Sequence, residues 1–94
     1  MFSTKELETI DKKYFSIIMA NEYDVTLMFK NTKHIWYLHS IELPDREQVI
    51  VFHKHHASDP YHSHSKCRTL KKAIRDIQGH DEFQLNGRKP VLKH

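Results

Sequence analysis

One cysteine, two glycines and three prolines are all this 94-residue chain holds of the residues that usually staple or punctuate a small fold. Cys67 has no internal partner, which excludes the disulfide-stapled secreted scaffolds. So few glycines and prolines exclude collagen-like repeats, Gly-rich linkers and most low-complexity classes. No apolar run approaches the ~20 residues of a membrane helix, and no charged start leads into an apolar stretch with a small-residue cleavage site. Also missing are the GxSxG elbow, the P-loop, paired CxxC, HExxH and the Rossmann glycines, so nothing marks an enzyme. These absences predict a cytoplasmic protein that does not meet the membrane. We expect a single small domain over residues 1–94, in which 88–94 form a basic tail.

Apolar residues make up 38% of the chain, and ten aromatics add bulk, so a compact core is feasible at this length. Charge is uneven. Residues 1–43 hold five lysines against six acids, whereas residues 44–94 hold ten basic residues against six acids. Nine histidines, most of them from His53 onward, make a surface that becomes far more cationic on acidification.

Ser3 with Glu6 has capping-box spacing, and Phe2 can staple against Leu7, which predicts a helix with Leu7, Ile10 and Tyr14 on its apolar face. Tyr14–Ala20 reads as a strand, against the alternative that the helix continues through it. Val25, Leu27 and Phe29 alternate, 30–33 is a polar turn, and His34–Leu43 and Gln48–His55 are further strand-like runs. The expected result is an α+β fold: an antiparallel meander of three to four strands, with an N-terminal helix and a C-terminal amphipathic helix packed on one face. Leu27, Phe29, Trp36, Leu38, Ile50 and Phe52 are expected on one sheet face, with Tyr37, His39, Val51, His53 and His55 on the other. Cys67, Leu70, Ala73, Ile74 and Ile77 share a helical stripe over 66–78, with Gly79 as its C-cap. Phe83 and Leu85 alternate as a short edge strand that could pair two subunits in a homodimer.

Two features could carry chemistry. If the chain folds back near Asp59-Pro60, His53 faces His64 and His55 faces His62. Opposed side chains lie ~4.5–5.5 Å apart at Cβ, so this quartet could share a zinc, nickel or copper ion, with His39 and Cys67 as further candidates. The alternative is a set of ordinary polar residues on an exposed strand. His34 is expected to flank a turn, and His80, Asp81 and Glu82 to stay solvated. Second, Arg68, Lys71, Lys72 and Arg75 recur at helical spacing after Lys66, and no acid occurs from His62 to Arg75. Such a stripe suits a phosphate backbone or an acidic protein surface, with Tyr37, Trp36 or Tyr61 as stacking faces. A solvated helix face is the plainer reading.

The order of helix, antiparallel strands and a final helix with a basic first half resembles that of double-stranded RNA-binding domains. Ser65–Lys72 is looser than the compact lysine cluster of that family. The leading expectation is a non-enzymatic module that engages an anionic macromolecule, nucleic acid first. A His-liganded metal protein is the runner-up, followed by a small interaction or inhibitor factor of a mobile element.

Overall fold

A computed structural model describes residues 1–85, and the expected basic tail lies outside them. The described chain runs α1 (Thr4–Glu8), β1 (Phe15–Ala20), β2 (Asp24–Phe29), β3 (Ile35–Glu42), β4 (Glu47–Lys54), β5 (His62–Cys67) and α2 (Leu70–Leu85). The α+β class holds. The sheet has five strands rather than three or four, antiparallel in the order β1-β2-β3-β4-β5. Among the described residues no helix is long and apolar enough to cross a membrane.

The capping box forms as spaced. Ser3 Oγ accepts from the Glu6 amide at 3.1 Å, and Glu6 Oε1 accepts from the Ser3 amide at 3.0 Å. α1 is nonetheless only five residues long and closes at Thr9, whose hydroxyl donates to the Glu6 carbonyl. An Asp11 turn then feeds β1, with the Asp11 carbonyl accepting from the Tyr14 and Phe15 amides. The strand reading of this segment is therefore the right one. It adds a strand that breaks the element order of double-stranded RNA-binding domains.

One face of the sheet is covered by the helices. Phe15, Val25, Leu27, Phe29, Trp36, Leu38, Val49 and Val51 are buried there with Phe2, Ile10, Leu70, Ala73 and Ile77. Burying such side chains contributes about 1.5–3 kcal/mol each before the entropy of ordering them is subtracted. The expected phase of β4 is reversed: Val51 and His53 point into the core, while Ile50 and Phe52 lie on the open face with Tyr37 and His39. Residues 49–52 are apolar at four successive positions, so alternation cannot choose a phase. Pairing chooses it, because Leu38 lies opposite Val51 and Trp36 opposite His53.

The helix expected over 66–78 is also shifted. Cys67 is held in β5 opposite Val49, so α2 starts at Leu70, with Thr69 Oγ1 accepting from the Lys72 amide. It runs through Gly79 to Leu85, and Phe83 is helical rather than part of a dimerising edge strand.

Candidate metal centre

The β3–β4 turn sets the geometry of the site. The Leu43 amide donates to the Arg46 carbonyl at 2.8 Å, closing a tight connection through Pro44-Asp45. Stepping outward from it pairs Glu42 with Glu47, Trp36 with His53 and Ile35 with Lys54. One step further brings His34 beside His55, and their rings stack at 4.2 Å and 7°. His34, Trp36, His53 and His55 thus keep the core phase at the end of the sheet where α2 also passes.

His53 is the centre of this group. It is 3% exposed and lies flat on Trp36, with ring centroids 3.9 Å apart at 13°. Its ring is 4.8 Å from that of His55 and 5.3 Å from that of His34. Available ligand atoms of His34, His53 and His55 all lie within 4.8 Å of one another. Among the described residues the buried Nε2 of His53 has no hydrogen-bond partner, and neither has Trp36 Nε1.

β5 and α2 bring further imidazoles. His62 lies opposite His53, with rings 5.6 Å apart. The register slips between the Val51 and Phe52 pairs, and His64 falls in the slip. Its ring stands nearly perpendicular to that of Trp36, with centroids 4.8 Å apart, and its centroid is 5.1 Å from that of His80. His80, on α2, lies 5.3 Å from His53. The rings of His55, His62 and His64 all lie within 6.0 Å of that of His53, but the expected pairings do not form. His53 faces His62 rather than His64, and His55 faces His34 rather than His62.

Charge within the group is suppressed. Burial, reinforced by the neighbouring imidazoles, pushes His53 down to about 3, and burial with His55 nearby lowers His34. His64 is lowered by burial and by His62. At neutral pH His53 is a neutral imidazole, the form that ligates metals. Behind His34, Asp81 is fully buried and accepts from Tyr14 Oη at 2.8 Å and Thr32 Oγ1 at 2.6 Å. These bonds tie the β2–β3 turn, which carries His34, to α2. Asp81 was expected to be solvated, and only the packing of α2 reveals it.

The two further ligand candidates lie elsewhere. His39 sits on the open face, where its Nδ1 is 2.8 Å from Asp24, and Tyr37 also donates to Asp24. Those hydrogen bonds hold the Asp24 carboxyl below the usual carboxylate range. Cys67 is buried against α2, its thiol 3.4 Å from Asp76, and burial pushes that thiol up.

Of the basic residues, Arg68, Lys71, Lys72 and Arg75 are all exposed. Lys72 pairs with Asp76 at 3.2 Å. Lys66 pairs with Ile50 in register and so belongs to the open sheet face rather than the helix. Trp36 is buried, whereas Tyr37, Phe52 and Tyr61 neighbour one another on the open side, with Lys54 Nζ 4.2 Å from the Tyr61 ring. No family model, no curated protein and no solved structure matches the chain.

Proposed function

We propose that this protein binds a transition-metal ion, zinc or a late first-row ion of similar preference, through His34, His53 and His55. The observation that carries the reading is the convergence of an imidazole nitrogen from each of His34, His53 and His55 within 4.8 Å, and among the described residues the buried Nε2 of His53 has no hydrogen-bond partner. Imidazole suits zinc, copper and nickel, and three protein ligands with a free position is the pattern of reactive rather than closed zinc sites. Zn–N bonds of about 2.0–2.1 Å set neighbouring nitrogens about 3.3 Å apart, so the half-buried His34 and His55 must draw in toward His53. His55 and His62 border a hollow of about 300 Å³ with Lys54, Asp59 and Pro60, which gives an ion and a small fourth ligand a way in.

The test is elemental analysis of untagged protein, followed by zinc titration of the metal-free form. Trp36, the only tryptophan, stacks on a ligand and reports occupancy by its fluorescence. About one ion per chain is expected. Loss of a mere outer partner of a metal ligand costs 10–100-fold in affinity, so His34→Ala and His55→Ala should each cost at least about tenfold. No uptake by the folded wild type, or unchanged uptake by both variants, overturns the proposal.

A second reading keeps the basic residues in view: nucleic acid contacted by Arg68, Lys71, Lys72 and Arg75, with Lys66 as a separate contact. Its support is the exposure of Lys71, Lys72 and Arg75 on α2 and of Arg68, which was expected on the helix but lies in the bend before it because β5 holds the chain to Cys67. Binding would weaken steeply with salt, and Arg68→Glu with Lys72→Glu would abolish it in a protein that still folds. Unchanged binding by that variant excludes this reading, and salt-sensitive binding to an acidic protein alone would replace it with the other anionic partner.

A further inference from the structure

Lys5, Lys71 and Arg75 line one cleft between two helices. Lys71, Ile74, Arg75 and Gln78 recur on one face of α2, and they meet Ser3, Lys5, Glu6 and Thr9 of the α1 segment across a cleft of about 630 Å³. That size is within the ~300–1,000 Å³ usual for small-molecule sites. The lining is predominantly carbon, which fits Ile74, the Thr9 methyl and the methylene stems of the three cations. The polar content is one-sided. Among the described residues Glu6 is the only acid of the lining, and one of its oxygens is engaged in the capping box. Among the described residues no ion pair holds Lys5, Lys71 or Arg75, whereas Lys72 on the same helix is paired with Asp76. Lys71 and Arg75 are also like charges at i and i+4, an arrangement that costs a helix stability unless an anion offsets it.

We infer that this cleft binds a small amphiphilic organic anion. Its carboxylate or phosphate would be held by Lys71, Arg75 and Lys5, and its apolar body would lie along Ile74. The site is separate from the histidine group and uses none of its residues. Arginine with flanking lysines recognises an oxyanion by charge-assisted hydrogen bonds, while the carbon walls reward an apolar body that free phosphate lacks.

Octanoate is the probe, titrated into isotope-labelled full-length protein and followed by amide chemical shifts, with octanol and inorganic phosphate as separate arms. Saturable shifts at Thr9, Lys71, Ile74 and Arg75 are expected, with octanoate bound at least about tenfold more tightly than either control. Arg75→Gln and Lys71→Gln, on an exposed helix face where the fold tolerates them, should each weaken octanoate about tenfold. Arg68→Glu with Lys72→Glu leaves the cleft residues intact and should leave octanoate bound, so the nucleic-acid reading can fail without this one. The inference is overturned if octanoate gives no saturable shifts at the cleft. It is also overturned if phosphate or octanol binds equally well, or if both glutamine variants, with wild-type spectra elsewhere, retain full affinity.

Discussion

His53 occupies a β4 position where the alternation of Val49 and Val51 would put another aliphatic residue, and it is as buried as they are. An imidazole there must stay neutral, which makes folding pH-dependent even in metal-free protein. Between pH 6.5 and about 3 the unfolded chain binds a proton at His53 that the folded chain does not. Stability is therefore full above pH 6.5 and falls as the pH is lowered through that window. A loss of about 2 kcal/mol from this residue is expected between pH 7 and pH 5, read from urea midpoints. His53→Phe, which stays stacked and does not titrate, should flatten the profile. Asp81 supplies the second prediction at this scale. Hydrogen bonds to a charged group contribute about 1.5–3 kcal/mol, so Tyr14→Phe should lower stability by that order in thermal or urea unfolding. The burial of neither residue is legible in the sequence: His53 stands out there only as a candidate ligand on the face opposite the apolar one, and Asp81 sits in a polar run at the end of an apparently finished helix.

At the level of elements, α2 carries a glycine through its interior. A Cβ built at Gly79 meets nothing within 4 Å, so Gly79→Ala should stabilise the protein by about 0.5–1 kcal/mol, seen as a raised melting temperature. A C-cap role for this glycine would instead make the same substitution destabilising. Ser3→Ala should cost α1 about 1 kcal/mol through loss of the capping box. The start of α1 was legible because capping is local, involving residues three apart. The ends of both helices were not, because they depend on partners far along the chain. Thr9 and the Asp11 turn stop α1 so that Phe15 can pair with Phe29, and pairing with Val49 removes Cys67 from α2.

For the whole molecule, the question is which sheet face the helices cover. Val51 is fully buried and Ile50 is only half-buried. Val51→Ala should therefore cost about 2–3 kcal/mol and Ile50→Ala about 1 kcal/mol, although isoleucine is the larger side chain. The reverse order in denaturant unfolding would mean that β4 has the opposite phase. The sequence by itself determined the α+β class, the apolar faces of β2 and β3, the capped start of α1 and the gathering of histidines in the second half, because each is written in local spacing. Tertiary structure alone decided the phase of β4, the His34–His55 and His53–His62 neighbours, the burial of Asp81 and the cleft that Lys5 shares with Lys71 and Arg75. Each of these follows from register or packing between distant segments. A one-residue slip turns every side chain of a strand to the other face, and no spacing within the strand records which slip was made.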